Sequence, residues 1–507
     1  MHLIAFLVAL TAPIFLFYLY VRVNDAKLQR LPSDIARSLS PKRFNEELVK
    51  EAFLSLQAEP VAVKESLPPK TGRRYIVTGG AGFLGGWIVL HLIERGEDPR
   101  KIRVLDIRPP TRPDLTTGPA SLVDFRRVDV SDRASVDAAV SAPWPDGATS
   151  NEETTVFHTA AGIRFYERHP ALIPLSAKVN VDGLQNVLDA ARRTGVAVFI
   201  YTSSGSVLVR RARFWLWPWE SGQFVQAFDD STQAPVKHED TFSNYAVTKL
   251  EAERRVRAAN GTPSGDGRIL TGCIRPCNGV YGPGGDILAG AYLVRQTNPT
   301  WIGNIMENFC YVENASLAHL CYEARLLESD RLGGDAFLVS DAGPPVVYDD
   351  VYLALGTLTD DNVTFPRMSP TAMLLVAHIL EWYYLTRTFL LSSSYSLCHK
   401  VASLMPPLGG DIISLQPSLF SLCQVHLIFD TSRARQSPEK GGLGYAPPWT
   451  TLDGLCKLVD EHVKAGGKGE ERSLGGGVSL GFASSKAGRG VGKVMEKIGV
   501  DPTTAQN

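Results

Sequence analysis

The sequence predicts an α/β fold: a doubly wound parallel sheet, followed by a smaller C-terminal substrate-binding region and preceded by an N-terminal transmembrane helix. Three observations predict it. Residues 73–345 alternate short apolar runs with helical runs, a glycine-rich turn follows the first apolar run, and residues 3–21 carry no charge over 19 positions. Alternating strands and helices imply a parallel sheet with helices on both faces.

Six strands are predicted between residues 73 and 345, because runs of β-branched, aromatic and other apolar residues are separated there by helical patterns. The predicted strands cover residues 75–79, 101–107, 124–130, 155–160, 197–204 and 269–276. The flanking regions are interpreted by composition. They are a linker over 23–72 with a short helix near 44–57, a C-terminal substrate-binding and membrane-associating region over 346–465, and a flexible tail rich in glycine, serine and lysine over 466–507.

The composition excludes several classes of protein. Of the 507 residues, 44% are hydrophobic and 21% are charged, which is typical of a globular protein. A net charge of -1 gives no reason to expect a nucleic-acid partner. The seven cysteines form no CxxC pair and no zinc-ligand spacing, so neither a disulfide framework nor a metal site is expected, and a reducing compartment is favoured.

Residues 1–22 are predicted to form a transmembrane anchor. A helix rises about 1.5 Å per residue, so the uncharged stretch nearly crosses a hydrocarbon core of about 30 Å. Arg22, Lys27 and Arg30 follow the stretch and no lysine or arginine precedes it, which predicts a cytosolic catalytic part. A cleaved signal peptide is the alternative, but it would want a basic leading region and a cleavage pattern, and neither is obvious.

A second apolar stretch covers residues 371–391. It contains His378, Glu381 and Arg387, which would be costly inside a bilayer. An interfacial helix on the membrane surface is therefore favoured over a full span, and a buried domain helix is the alternative.

The glycine-rich turn after the first strand predicts a Rossmann-type dinucleotide site. Gly79, Gly82 and Gly85 allow a tight turn that opens a helix, and Phe83 and Leu84 within this turn are predicted to bind the cofactor with them. Glycine permits backbone N–H groups to approach a pyrophosphate, and the helix N-terminus adds partial positive charge.

Asp106 predicts which dinucleotide binds. It ends the second strand, 21 residues after Gly85, where a carboxylate can accept hydrogen bonds from the adenosine ribose hydroxyls and repel a 2′-phosphate. NAD is therefore the expected cofactor. Arg108 could tolerate NADP, with a solvated loop residue as the alternative, and Asp129 is predicted to meet the adenine edge.

Tyr245 and Lys249 predict alcohol chemistry. They are spaced i and i+4, so they share one face of a helix. A tyrosine is a poor base at neutral pH, and a lysine one turn away is expected to lower its pKa. Ser204 follows the fifth predicted strand, at the sheet edge where ligands bind, and its hydroxyl could hold the substrate oxygen while Tyr245 moves the proton.

Together these motifs resemble the extended short-chain dehydrogenase/reductase superfamily over about residues 73–345. The matching segments are TGGAGFLG (78–85), HTAA (158–161), VNVDG (179–183), YTSS (201–204), YAVTK (245–249) and RPCNGVYGPGG (275–285). The resemblance implies that Asn180 supports the active-site water and lysine and that Pro276 lies near the nicotinamide. It also implies that Thr159, Ala160 and Ala161 line the cofactor.

Within that superfamily the chain is most similar to the 3β-hydroxysteroid dehydrogenase branch, which includes the decarboxylating sterol-4α-carboxylate 3-dehydrogenases. The supporting segments are FIYTSS (199–204), FCYVENASLAHL (309–320) and a late element beginning at Phe429, in which Arg433 stands where lysine is usual. The resemblance implies NAD(P)-dependent oxidation of a 3β-hydroxyl on a sterol, steroid or triterpenoid, with or without decarboxylation at C4. It also implies an endoplasmic reticulum membrane location and a homodimer or an assembly with other sterol-modifying enzymes.

Two alternative functions stay open at this stage. One is a sugar-nucleotide epimerase or dehydratase, or a carbonyl reductase, of the same superfamily. The other is a non-catalytic dinucleotide-binding scaffold, against which the complete set of Ser204, Tyr245 and Lys249 argues. A stretch with Trp215, Trp217 and Trp219 beside arginines looks longer than the branch usually has; it suits a membrane interface or a pocket mouth, or else a surface loop.

Overall fold

The computed structural model describes residues 2–222 and 224–465, with side chains described from residue 11 onward. The predicted flexible tail, residues 466–507, lies outside the described residues. The strands in chain order are β1 (Arg74–Thr78), β2 (Ile102–Asp106), β3 (Asp124–Arg127), β4 (Thr154–His158), β5 (Val198–Thr202), β6 (Val225–Phe228), β7 (Pro263–Ser264), β8 (Gly267–Arg268), β9 (Leu270–Pro276), β10 (Val280–Tyr281), β11 (Met306–Glu307), β12 (Cys310–Tyr311), β13 (Ala336–Val339), β14 (Val346–Val347) and β15 (His426–Phe429).

Helices alternate with these strands. In chain order they are α1 (His2–Leu28), α2 (Ser33–Leu39), α3 (Glu46–Ala58), α4 (Val63–Ser66), α5 (Phe83–Glu94), α6 (Pro113–Thr116), α7 (Arg133–Val140), α8 (Ile173–Ala177), α9 (Leu184–Arg193), α10 (Asn244–Ala258), α11 (Ala289–Arg295), α12 (Val312–Glu328), α13 (Tyr348–Leu358), α14 (Pro370–Ser392), α15 (Ser396–Ser403), α16 (Pro417–Cys423), α17 (Ser432–Arg435) and α18 (Thr451–Lys464). Helix α3 lies where the short linker helix is predicted.

Seven strands form one sheet in the order β13-β9-β5-β4-β1-β2-β3. Every neighbouring pair runs parallel. The winding direction reverses between β1 and β4, and in such sheets the ligand crevice lies at the carboxyl ends of the strands beside that point. The predicted α/β Rossmann-type fold is confirmed. The short edge strand β13, only four residues long, is missing from the sequence prediction.

The sheet is buried between two layers of helices. Strands β4 and β5 are buried at every residue, which matches their nearly continuous apolar sequences. One face packs against α5 and α12, and the other packs against α7, α9 and α10. This double cover holds the carboxyl ends of β1, β4 and β5 in a fixed arrangement.

A smaller sheet lies above the crevice and combines distant parts of the chain. Its order is β14-β11-β15-β6, with β15 parallel to both β11 and β6. Strands β6 and β11 precede residue 345, whereas β14 and β15 follow it. The C-terminal region is therefore interleaved with the preceding one, and the predicted domain boundary at 345 stays a prediction.

Helix α1 ends inside the folded domain. The Asn24 side chain, in a residue that is 1% exposed, donates hydrogen bonds to the Phe214 carbonyl at 3.1 Å and the Thr371 hydroxyl at 2.9 Å. No helix within the described part of the chain combines the length and apolar character that crossing a membrane requires. The transmembrane helix predicted over residues 1–22 is therefore unsupported; α1 runs from His2 to Leu28, and its residues 14–19 are exposed.

Helix α14 occupies the second apolar stretch and packs on the domain by one face. Met373, Leu374 and Ala377 are buried, and Glu381 accepts two hydrogen bonds of 2.6 Å from Arg168. The opposite face exposes large apolar side chains, including Trp382 at 70%. Glu381, one of the polar residues that argue against a membrane span, is thus paired with Arg168.

Candidate active site

A cavity of about 630 Å³ opens at the carboxyl ends of β1, β2, β4, β5 and β9. Most of the residues predicted from the sequence to bind cofactor or to catalyse lie in its wall. They are Gly79, Gly82, Phe83, Leu84, Gly85, Asp106, Asp129, Thr159, Ala160, Ala161, Ser204, Tyr245, Lys249 and Pro276. Two predicted residues, Arg108 and Asn180, are not part of the wall.

The glycine turn is shaped to receive a phosphate-bearing ligand. Gly79 has φ +70°, a conformation that side chains disfavour, and its carbonyl accepts a hydrogen bond from the Gly82 N–H at 2.9 Å. A Cβ on Gly85 would lie 2.3 Å from the Gly79 carbonyl oxygen and 2.7 Å from the Thr159 hydroxyl. The backbone is therefore packed closely enough that only glycine fits. Helix α5 begins directly beyond it, with its N-terminus at the cavity.

Asp106 braces this turn as well as facing the cavity. One carboxylate oxygen accepts from the Ala81 N–H at 3.1 Å, and the other accepts from the Arg108 N–H at 3.2 Å. Burial raises the pKa of Asp106, and these backbone hydrogen bonds oppose the rise. Each carboxylate oxygen keeps a second lone pair, so the site fits the adenosine ribose of a nicotinamide dinucleotide.

Arg108 and Asp129, which were predicted to lie at the cofactor site with Asp106, differ in their position relative to the cavity. Arg108 is exposed and does not reach the cavity wall, so the structure does not place its guanidinium where a 2′-phosphate would lie. Asp129 is in the wall, with one oxygen held by the Ser131 N–H and hydroxyl at 2.9 and 2.8 Å. The geometry beside Asp106 therefore suits NAD better than NADP.

Ser204, Tyr245 and Lys249 all lie in the wall of this cavity. Ser204 follows β5 and its hydroxyl lies 2.7 Å from that of Ser206. Tyr245 lies in the first turn of α10, whose N-cap Ser243 accepts from the Ala246 N–H at 3.2 Å. The cap starts the helix here, and the spacing of one turn then brings Lys249 beneath Tyr245.

The charge state of the pair differs from the prediction. Burial raises the pKa of Tyr245 to about 12, with the Ser204 hydroxyl opposing part of the rise. Burial lowers the pKa of Lys249 to about 7. The amino group donates to the Thr202 carbonyl at 2.5 Å and lies 4.3 Å from the centre of the Tyr201 ring. Lys249 is thus held by Thr202 and Tyr201, and the expected lowering of the tyrosine pKa is absent.

A buried network under Lys249 escaped the sequence prediction. Glu253, one further turn along α10, accepts from the Ser203 hydroxyl at 2.6 Å and from two nitrogens of Arg275 at 2.8 and 2.5 Å. Burial tends to raise the pKa of Glu253, but Arg275 and Ser203 hold it below its ordinary value. The i, i+4 spacing from Lys249 to Glu253 was the available signal.

His319 holds the same strand end from the other face of the sheet. Its Nδ1 donates to the Ala315 carbonyl at 2.7 Å, which makes Nε2 the acceptor for the Thr202 hydroxyl at 2.7 Å. Burial lowers the pKa of His319 to about 4, so the ring is neutral at physiological pH. His319 therefore has a structural role in placing the Thr202 carbonyl that receives Lys249.

Asn180 supports the site without touching the cavity. It is 2% exposed and lies in a π-helical turn over Lys178–Gly183. Its side chain accepts from the Gly162 N–H at 2.7 Å and donates to the Thr248 hydroxyl at 3.1 Å. Asn180 therefore connects the loop after β4 to helix α10 and stabilises the site from outside the cavity wall.

The part of the cavity beyond Tyr245 is apolar and comes largely from the C-terminal region. Its wall includes Phe165, Leu288, Tyr348, Leu419, Leu422 and Cys423. Sequence reasoning missed these residues because they lie far apart in the chain. Among the described wall residues of the whole cavity, Lys249 is the only basic one. The cavity thus joins a polar dinucleotide cradle to an apolar chamber that meets it at Tyr245.

Gly85→Ala is expected to weaken NAD binding at least about tenfold, because the added methyl group must displace the Gly79 carbonyl that shapes the cradle. The dissociation constant is measured by titration calorimetry. Gly409→Ala is the matched control, since no described atom lies within 4 Å of its added Cβ, and it should bind NAD as the unmodified protein does. Equal affinities for both variants would contradict this placement of the cofactor.

Comparison with known proteins agrees with the geometry. The model of the 3-beta hydroxysteroid dehydrogenase/isomerase family matches residues 76–364. An Arabidopsis thaliana protein named 3beta-hydroxysteroid-dehydrogenase/decarboxylase isoform 2 is 28% identical over 434 residues, covering 80% of this chain and 67% of that protein. A Mycobacterium tuberculosis protein named 3 beta-hydroxysteroid dehydrogenase/Delta 5-->4-isomerase is 30% identical over 418 residues, covering 78% and 92%.

A solved structure supports the fold alone. The UDP-glucose 4-epimerase of Thermotoga maritima matches with a TM-score of 0.51 and 18% identity, over 77% of this chain and 99% of that one. A likeness at this sequence identity says nothing about which substrate the present chain binds. The resemblance inferred from the motifs is confirmed by the family match. The chain therefore belongs to the 3-beta hydroxysteroid dehydrogenase/isomerase family, and it is an NAD(P)-dependent oxidoreductase that acts on a CH–OH group.

Proposed function

We propose that the protein oxidises the 3β-hydroxyl of a sterol-4α-carboxylate and that the resulting ketone loses CO₂ from C4. The observation that carries the proposal is the chemistry of the apolar chamber. It brings a substrate oxygen to Ser204 and Tyr245, yet its described wall contains no carboxylate or histidine that could act as a further base. Oxidation followed by decarboxylation needs only the groups that are present.

Oxidation uses Ser204, Tyr245 and Lys249. The Ser204 hydroxyl holds the substrate oxygen, and the Tyr245 oxygen takes the hydroxyl proton. NAD, which the glycine turn and Asp106 would hold, would supply the hydride acceptor. The ammonium form of Lys249 favours the phenolate of Tyr245, whose pKa burial otherwise raises to about 12.

Decarboxylation follows without a new catalytic group. In the 3-keto acid, the bond between C4 and the carboxylate breaks, and its electron pair forms the C3–C4 double bond as CO₂ leaves. The C3 oxygen gains negative charge and takes back the proton held on Tyr245, giving an enol that becomes the ketone. An apolar chamber with Lys249 as its only basic wall residue solvates a carboxylate poorly, which favours its loss.

Isomerisation of a Δ5 double bond, printed in the name of the mycobacterial relative, needs a base that moves a proton from C4 to C6. Asp106 and Asp129 belong to the adenosine end of the cavity, beyond β1. Glu307 lies behind Asn278, which donates to it at 2.6 Å, and burial raises the pKa of Glu307 well above its ordinary value. Glu307 is not part of the described cavity wall, so it is not placed to act as this base.

The test pairs a 3β-hydroxysterol-4α-carboxylate with a Δ5-3β-hydroxysteroid that lacks the carboxylate. With NAD, both are expected to give 3-ketones; the first should lose CO₂, and the second should keep its double bond in place. Product masses and the absorbance of a conjugated ketone distinguish the outcomes. Tyr245→Phe, which removes only the hydroxyl, is the control and should leave both substrates unchanged. A 3-ketone that keeps its carboxylate, or enzyme-dependent conjugation, would contradict the proposal.

We further propose that the protein acts at the cytosolic face of the endoplasmic reticulum membrane, which it contacts through an exposed apolar surface. Trp217, Trp219, Ile379 and Trp382 are 59%, 78%, 57% and 70% exposed, and clustered exposed apolar residues are typical of membrane-interaction surfaces. The loop with the first two and helix α14 with the others both pack on α1. The seven free cysteines agree with a reducing compartment.

Replacement of Trp219 and Trp382 by serine is expected to reduce binding to phosphatidylcholine vesicles at least about tenfold, because tryptophan prefers the membrane interface. Flotation of the full-length protein with vesicles measures the bound fraction. Val463→Ser is the control, since Val463 is 62% exposed on the distant helix α18. Equal binding by all three proteins would remove this surface from the proposal. The predicted homodimer or assembly with other sterol-modifying enzymes stays a prediction.

A further inference from the structure

A second cavity, of about 240 Å³, lies behind the substrate chamber. Residues 211–215, helix α14 and helix α16 enclose it. Helix α16 separates the two cavities: Leu419 and Leu422 face the chamber, whereas Ser418 and Ser421 line the second cavity. Neither the oxidation nor the decarboxylation uses this space.

Two polar groups in its wall lack hydrogen-bond partners. The Nη2 of Arg211 is buried without a partner among the described residues, although its Nε donates to the Thr241 carbonyl at 3.2 Å. Ser418 is 1% exposed, and its hydroxyl also has no partner among them. A buried donor left unsatisfied is costly, so two at one cavity indicate a ligand that accepts hydrogen bonds.

One of the three arginines at the cavity has no direct ion pair. Arg168 is paired with Glu381 through two hydrogen bonds, and Arg213 with Glu220 at 2.5 Å. Arg211 forms no ion pair with any described carboxylate. Burial and neighbouring Arg168 lower the pKa of Arg211, whereas the carboxylates of Glu381, Asp240 and Glu239 raise it, and its guanidinium stays charged at neutral pH. Arg211 is therefore the arginine that keeps a charged donor free for a ligand.

We propose that this cavity binds a phosphate group carried by the head of a membrane lipid. A guanidinium edge and a serine hydroxyl are donors that match phosphate oxygens, and Arg211 and Ser418 supply both. Phe214, Trp215 and Leu374 supply apolar wall for the adjoining part of the lipid. Trp217 and Trp219 follow these wall residues in the chain and are exposed and stacked at 5.2 Å, so this site rests on the membrane contact proposed above.

The test compares Arg211→Gln with Arg210→Gln, an exposed neighbour whose only side-chain hydrogen bond described is a 3.3 Å contact to the Gln233 carbonyl. Flotation is measured with phosphatidylcholine vesicles, with and without phosphatidic acid. Phosphatidic acid is expected to strengthen binding of the unmodified protein and of Arg210→Gln. In Arg211→Gln, the gain in vesicle affinity produced by phosphatidic acid should be at least about tenfold smaller, which corresponds to the loss of one charge-assisted hydrogen bond. Equal losses in both variants would indicate diffuse charge attraction and overturn the site.

Two further measurements keep the outcome decisive. Ser418→Ala should lower the same gain about threefold, and the circular dichroism spectra of Ser418→Ala and Arg211→Gln should both match that of the unmodified protein, so a folding defect cannot account for the losses. Inorganic phosphate is titrated separately by calorimetry; binding of free phosphate as tight as that of phosphatidic acid would overturn the lipid source. NAD-dependent turnover of a detergent-solubilised sterol should be unchanged in all variants, which separates this site from the proposed reaction.

Discussion

The active site depends on one buried carboxylate, that of Glu253. It joins three elements: helix α10, which carries Tyr245 and Lys249, the end of β5 through Ser203, and strand β9 through Arg275. Two buried charges are costly to desolvate, and the cost is offset only because Glu253 and Arg275 bond in a bidentate geometry. The pair gives little net stability, but it specifies how the strand ends and the helix are placed, and the catalytic hydroxyls keep their positions through it.

The dinucleotide half of the site could be predicted from the sequence because its signals are local. The glycine turn, Asp106 at the end of β2 and the spacing of Tyr245 and Lys249 each lie within one strand, turn or helix, where periodicity and steric rules apply. The five strands β1–β5 and strand β9 were predicted for the same reason. The edge strand β13 was missed because a run of four apolar residues is too short to be distinguished from a loop or helix by periodicity.

The rest could not be predicted because it arises from contacts between distant segments. The small sheet pairs β6 with β15, about 200 residues apart, and no periodicity reveals such a pairing. Asn180 and Lys249 were assigned correctly to the site's neighbourhood, but their hydrogen-bond partners are set by how loops and strand ends meet. Helix α1 was predicted to span a membrane from its hydropathy, which does not register that the same helix continues to Leu28 and bonds to the domain through Asn24. The apolar chamber likewise has walls from segments as far apart as Phe165 and Cys423.

The central claim is that the site removes a hydride from C3 of a 3β-hydroxysterol while Tyr245 takes the hydroxyl proton. The most direct measurement uses a 3β-hydroxysterol labelled with deuterium at C3 and follows the label by mass spectrometry of the nicotinamide. One deuterium per turnover should appear in the reduced cofactor, and Tyr245→Phe should transfer none while still binding NAD. Deuterium that is retained in the sterol or exchanged into water during turnover would contradict direct hydride transfer from C3.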